Sequence, residues 1–356
     1  MDIAREAGVS QATVSLILNE VKGVSFHRDT IERVRKVAEA LNYRPNIAAR
    51  SISTRRAYSL GVISRWDTAS PFFSRPLRGM LAVTHATGYS LTLCDVEVDS
   101  ATLETALDRA ATFYREGRID GVIAILATME TDVLSASSLR SLSDANIPLV
   151  LVNACTQDSF ADQVSTDNFH AGHLGTSHLI RLGRKKIAFF LERTGRERTS
   201  SAETERLKGY MEALKEHGDE GSAWVIRAPY APISFETGYR TFQRVLRSGV
   251  EPPDALYAIN DFLALGAMQA AQEAGLRIPE DLAVVGTDDY LISKGIRPSL
   301  TSVRQPLKQL GTSAARLLLE RIDGRGPDHR VNSLIPCEIV VRESCGADKG
   351  AATQSS

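Results

Sequence analysis

Ala4-Arg5-Glu6-Ala7-Gly8-Val9-Ser10-Gln11-Ala12-Thr13-Val14-Ser15-Leu16-Ile17-Leu18-Asn19 reads as helix, glycine turn, helix. Gly8 can enter the left-handed region that a tight turn between helices needs, and Ser10 can cap the second helix by accepting a backbone N–H. Ile3, Ala4, Ala7, Val9, Val14, Ile17 and Leu18 can pack on one another and on a third helix near 28–42, where Ile31, Val34, Val37, Ala38 and Leu41 recur at helical spacing. The result is a three-helix unit, too small for an enzyme. Gln11, Ala12, Thr13, Ser15 and Leu16 remain outward on the second helix. A short, uncharged set of this kind suits the major groove of DNA, where Gln can pair bidentately with adenine and apolar groups can touch the thymine methyl.

The next segment is Leu41-Asn42-Tyr43-Arg44-Pro45-Asn46-Ile47-Ala48-Ala49-Arg50-Ser51-Ile52. Pro45 stops the third helix, Asn46 can cap a new one, and 48–52 is a single short helical stretch. A helix this short is marginal alone in water, so it is expected to need its symmetry mate or DNA. Charge agrees with a nucleic-acid-facing head: residues 1–60 hold ten Lys and Arg against six Asp and Glu, whereas the whole chain is at −1.

From Tyr58 onward, short apolar runs alternate with helical stretches. The runs are 59–63, 91–93, 121–125, 148–152, 186–190, 255–259 and 282–286. Continuous apolar strands separated by helices predict parallel sheets buried on both faces. Two such units, breaking near residue 157, make a two-lobed α/β body over 58–345. In doubly wound sheets ligands sit beyond the carboxyl ends of the strands. Asn153, Asn260-Asp261 and Asp288-Asp289 stand there. Asn260-Asp261 reads equally as a helix N-cap, and Asp288-Asp289 as a loop turn.

Several classes are disfavoured. The 356 residues contain no run of about 18 uncharged apolar residues, and Met1-Asp2-Ile3-Ala4-Arg5-Glu6 has no basic segment leading into an apolar one. A chain that is not exported and works in the cytoplasm, at the nucleoid, is expected. Cys94, Cys155, Cys337 and Cys345 lack ligand spacing, and the seven histidines form no ligand pair. Neither a metal nor a cofactor is expected. No nucleophile elbow, zinc-protease helix, P-loop or dinucleotide fingerprint stands in its required context. The adjacent carboxylates at 288–289 are poorly placed to flank a scissile glycosidic bond, so the chain does not read as an enzyme.

Taken together, the helix-turn-helix, the short second helical stretch and the α/β body resemble the LacI/GalR family of bacterial repressors, from residue 2 to about 345. The resemblance implies a headpiece at 1–45, a hinge helix and linker at 46–57, and an effector-binding, dimerising body at 58–345 whose lobes are joined by three crossovers. It implies DNA contacts from Ser10, Gln11, Ala12, Thr13, Ser15, Leu16, Asn19, Tyr43, Asn46, Ala49, Arg50 and Ile52, with Ile52 at the position that wedges into the minor groove. It also implies that an effector is held by Asp67, Phe72, Phe73, Asn153, Arg206, Asn260, Asp288 and Gln305. A carboxylate with a guanidinium can chelate vicinal hydroxyls, and an aromatic ring can cover the apolar face of a sugar. Arg206 reads alternatively as a surface helix arginine, and one of Phe72 and Phe73 as core.

Departures from the family pattern bear on these expectations. Met1 directly before Asp2 reads as a start assigned too late or a frayed first helix. Leu16 stands where many members carry a basic base-reading residue. Ser64-Arg65-Trp66-Asp67 replaces an apolar-Pro-Asp approach to the cleft, which keeps an acidic or purine effector open beside a sugar. A body without any ligand also stays open. The partners expected are a near-palindromic operator, a small effector and a second copy of the chain. The polar segment 346–356 reads as disordered and unable to form a coiled coil.

Overall fold

The computed structural model describes residues 2–18, 24–41, 43, 51, 54–64, 67–95, 103–126, 142, 145–154, 161–191, 201–228 and 234–347. Three helices open the chain: α1 (Asp2–Glu6), α2 (Gln11–Leu18) and α3 (Arg28–Ala40). Gly8 turns the chain at φ 64°, where a side chain would be strained. Ser10 Oγ accepts the Thr13 N–H at 3.0 Å, as a cap should. Ile3, Ala7, Ile17, Val34 and Ala38 form the small core. Leu41 is not part of it: α3 ends one residue earlier, and Leu41 is its exposed C-cap.

The body is built on two six-stranded sheets. The first contains β1 (Ser59–Ser64), β2 (Ser90–Asp95), β3 (Gly121–Ile125), β4 (Leu149–Val152), β5 (Asp162–Thr166) and β11 (Asn332–Ile335), in the order β11-β5-β4-β3-β1-β2. The second contains β6 (Ile187–Leu191), β7 (Trp224–Arg227), β8 (Ala255–Ala258), β9 (Ala283–Thr287), β10 (Thr301–Arg304) and β12 (Glu338–Val340), in the order β12-β10-β9-β8-β6-β7. All pairings are parallel except β10 with β12.

Alternation along the first sheet divides its side chains between two faces. Leu60, Val62, Ile123, Ile125, Val150 and Val152 pack with Met80 of α4 (Pro71–Thr87) and Leu310 and Leu318 of α11 (Leu307–Ile322). Ile63, Val122, Ala124, Leu149 and Leu151 pack on the other side with Ala106 and Leu107 of α5 (Leu103–Arg115). The second sheet is enclosed by α6 (Asn168–Arg181), α7 (Ser201–Glu216), α8 (Phe235–Leu246) and α9 (Asp261–Glu273) in a single core rich in Phe, Tyr and Leu. A short α10 (Ile292–Gly295) lies between β9 and β10.

The chain passes between sheets three times: after Thr166, after Arg304 and between β11 and β12. The first passage is later than the break near 157 expected from hydropathy. The reason is β5, Asp162-Gln163-Val164-Ser165-Thr166, a wholly buried strand made mostly of polar residues. Asp162 has no exposure, and Arg321 satisfies it with Nε at 2.7 Å and Nη2 at 2.8 Å. A strand whose charge is neutralised by a distant helix carries no hydropathy signal.

Candidate effector cleft and DNA-reading helix

The carboxyl ends of β4, β5, β8 and β9 meet the crossover after β10, and most of the expected cleft residues are brought together there. Asn153 follows β4 in the left-handed region at φ 56°. Its Oδ1 lies 3.1 Å from the Thr166 N–H nitrogen and 3.2 Å from Thr166 Oγ. Thr166 Oγ is also 3.0 Å from Gln305 Oε1, and Gln305 Nε2 donates to Asp288 Oδ1 at 2.7 Å. A chain of side-chain hydrogen bonds thus runs from the first lobe, through the crossover, to the second.

Asp288 sits at φ 102° and is 6% exposed. Burial raises its pKa, against the opposing pull of the Arg206 guanidinium. Arg206, on α7, is held by Asn168 Oδ1 at 2.9 Å and by the Ile259 carbonyl at 2.7 Å. It forms no ion pair among the described residues, so it is a buried, aimed guanidinium and not the surface arginine its helix position allows. Its height is set by backbone contact between α6 and α7. A Cβ on Gly172 would lie 2.0 Å from the Arg206 carbonyl oxygen, so only glycine permits that approach.

Asn260 takes the capping role: its Oδ1 accepts the Leu263 N–H at 2.9 Å and starts α9. Asp261, the alternative cap, is instead fully buried. It accepts the Tyr290 N–H at 2.8 Å and the hydroxyls of Ser293 and Ser302 at 2.7 Å each. Burial, with Asp288 nearby, pushes its carboxyl up to about 7. Asp289 points away from this pair, to Arg304 at 2.8 Å and to Arg342.

Of the two aromatic residues, Phe73 belongs to the core of the first lobe at 2% exposure, and Phe72 is the half-buried ring. That corrects the expectation for Phe73: α4 starts at Pro71, and successive helical residues face apart. Asp67 is exposed, with Oδ1 accepting the Ala69 N–H at 2.6 Å in a turn just before α4.

In the headpiece, Ser10, Gln11, Ala12 and Ser15 are exposed, while Thr13 and Leu16 are half-buried. Ser10 has its Oγ engaged by the Thr13 N–H, so its first task is the cap. Tyr43 is exposed, and its N–H bonds the Ala38 carbonyl at 2.9 Å. Asn19, Asn46, Ala49, Arg50 and Ile52 lie outside the described residues.

Residues 1–46 match the family of bacterial regulatory proteins of lacI type, and residues 176–345 match the periplasmic binding protein-like domain. The HTH-type transcriptional repressor PurR of Haemophilus influenzae (strain PittEE) is 33% identical over 346 residues, 96% of this chain and 97% of the relative. The PurR repressor of Mannheimia succiniciproducens is 31% identical over 344 residues, 96% of this chain and 97% of its own. The chain belongs to the LacI family.

Solved structures agree with this assignment. The lac repressor dimer bound to operator and the anti-inducer ONPF is similar with a TM-score of 0.71 and 27% identity, over 97% of this chain and 98% of that one. The transcriptional regulator CelR in complex with cellobiose gives 0.65 and 27%, over 96% and 98%. A LacI-family regulator from Enterococcus faecium with bound ribose gives 0.64 and 27%, over 82% and 100%. This LacI-family protein is therefore a DNA-binding transcriptional repressor and not an enzyme.

Sequence reading of the repressor missed Thr166, Asn168 and Arg75. Arg75 of α4 donates to the carbonyl of Asp288 at 3.3 Å and of Asp289 at 3.0 Å, across the lobes. Thr166 and Asn168 flank the first crossover and were obscured with β5. Arg75 carries no motif at all; only the approach of the two lobes reveals it.

Proposed function

We propose that this repressor reads a near-palindromic operator as a dimer through Gln11, Ala12, Thr13, Ser15 and Leu16, and releases or captures it according to a sugar held between its lobes. The observation that carries the effector reading is that the Asp288 carboxylate, bonded by Gln305, lies within electrostatic reach of the Arg206 guanidinium, which forms no ion pair among the described residues. A carboxylate acceptor beside the remaining N–H groups of a guanidinium suits vicinal hydroxyls, and the partly buried Phe72 ring suits the apolar face of a pyranose or furanose. Cellobiose and ribose in the related structures support a sugar. A purine base is the second reading. The sequence relatives are PurR repressors, and the same carboxylate and guanidinium can bond ring N–H groups and carbonyl or ring nitrogen acceptors.

One headpiece reads only a few base pairs, so two copies about one helical turn apart give useful specificity. Effector binding then shifts lobe closure and with it the spacing of the headpieces. The test is fluorescence anisotropy on DNA from the gene's own upstream region, repeated with a panel of sugars, sugar phosphates and purines. A sugar that changes operator affinity supports the first reading, and a response confined to purines replaces it with the second. Equal, weak binding to operator and scrambled DNA would remove the operator assignment.

A further inference from the structure

A cavity of about 550 Å³ opens beside the crossover; it shares Gln305, Arg75, Asp289 and Arg304 with the surroundings described above, but neither Asp288 nor Arg206 lines it. That volume is within the range of small-molecule sites. Its walls come from both lobes: Arg75 on α4 and Lys308 on α11 from one, and Lys294 and Arg304 from the other. The lining holds four cations against a single carboxylate, Asp289.

That carboxylate is already engaged on both oxygens, by Arg304 and by Arg342. Arg75 bonds two neutral carbonyls, which occupies two of its five N–H donors, and it forms no ion pair among the described residues. Lys294 and Lys308 are exposed and form no ion pair among the described residues. The first turn of α11 also faces the cavity, with Pro306 before it and no side chain capping its N–H groups. Arg304 is paired with Asp289 and with Glu338, so the surplus charges around this concavity are those of Arg75, Lys294 and Lys308; they repel one another, and the repulsion is relieved by an anion that they share.

We propose that this cavity binds a small multivalent anion, a phosphorylated or polycarboxylate metabolite, at a site separate from the effector cleft. An anion gripped by Arg75 and Lys308 on one side and by Lys294 and Arg304 on the other favours the lobe arrangement seen here. It is thereby linked to whatever else depends on that arrangement.

The test titrates the full-length protein with inorganic pyrophosphate and, separately, with citrate, by calorimetry at ionic strength matched with sodium chloride. Saturable binding of one anion per chain is expected. The K294Q/K308Q double variant, which removes two exposed side chains and should melt like the parent, is expected to weaken it by about tenfold or more. Asp288→Asn should not weaken it, because the removed charge is negative and lies outside the lining, which separates this site from the cleft. Preference for pyrophosphate identifies a phosphorylated ligand and preference for citrate a polycarboxylate, and either supports the site. The proposal falls if neither anion saturates, or if D288N weakens binding and K294Q/K308Q does not. It also falls if the double variant loses only self-association, which would assign the cavity to acidic groups of a second copy.

Discussion

Gln305 donates to Asp288 Oδ1 at 2.7 Å while its own Oε1 takes up the Thr166 hydroxyl at 3.0 Å, so one amide on the crossover joins the two lobes at the mouth of the cleft. All three residues are buried, and a half-broken network in such a place costs more than its bonds contribute when intact. Gln305→Ala leaves a buried carboxylate without its side-chain donor. It is expected to lower unfolding stability by roughly 1–3 kcal/mol, measured by urea denaturation, while Gln305→Glu should cost more by setting two carboxylates side by side. A neutral result for both would show that the bridge is not formed in solution.

Asp288 and Arg206 carry the proposed effector chemistry. Asp288→Asn keeps the shape of the site but loses the charge that an ionised acceptor offers, and is expected to weaken the active sugar or purine by about tenfold to a hundredfold. Operator affinity without effector should change little. Calorimetry on the ligand identified in the anisotropy screen checks this, and an affinity within twofold of the parent would move the effector elsewhere.

Gln11 is exposed at the start of α2 and uncharged. If it reads a base edge, Gln11→Ala costs roughly 1–3 kcal/mol on the operator and nothing on scrambled DNA. The slope of log affinity against log salt should stay as in the parent, because no phosphate contact is lost. Equal losses on both DNAs would assign Gln11 to the backbone.

The Asp162–Arg321 pair ties β5 to α11, with Asp162 fully buried. Arg321→Ala removes two charge-assisted bonds and leaves Asp162 the Val331 N–H at 2.8 Å and Arg330 at 3.8 Å, and is expected to cost roughly 1–3 kcal/mol. Because β5 leads directly into Thr166, the variant should also weaken effector binding. Denaturation followed by intrinsic fluorescence and calorimetry on the same sample test both parts.

Asp261 gives the repressor a pH dependence of definite sign. Its carboxyl, pushed up to about 7 by burial and then by Asp288, keeps a proton that the unfolded chain releases near pH ~4. Its contribution to stability is full below the unfolded pKa and is lost as pH rises through about 7. His178 acts oppositely: burial, and then Arg181, lower it to about 4, so its contribution grows as pH rises from there through the ordinary histidine range. Melting curves of Asp261→Asn and parent between pH 5 and 8 isolate the first effect. The parent should lose Tm relative to the variant as pH rises, and parallel curves would mean that Asp261 stays ionised under its three donors.

The helix-turn-helix and seven of the strands were legible because their signals are local. Gly8 and Ser10 mark a turn and a cap within a few residues of each other, and runs such as Gly121–Ile125 are apolar because both faces of a parallel strand are covered. The places of Asn153 and Asp288 at strand ends were legible for a related reason, since strand ends in such sheets are where ligands gather, whereas Gln305 came only from the family resemblance.

What the tertiary structure alone decided depends on partners far apart in the chain. Arg321 makes a strand of polar β5 and so moves the first crossover to Thr166. Asn260 rather than Asp261 caps α9, because Ser302 and Tyr290 come round to claim the second carboxylate. Phe73 is enclosed in the core while Phe72 packs only against its edge, because α4 docks by one face. Arg75 meets the carbonyls of Asp288 and Asp289 only when the lobes close on each other. In each case the deciding energy is the satisfaction of a buried polar group or the filling of a core by residues remote in sequence, and no local pattern encodes such a pairing.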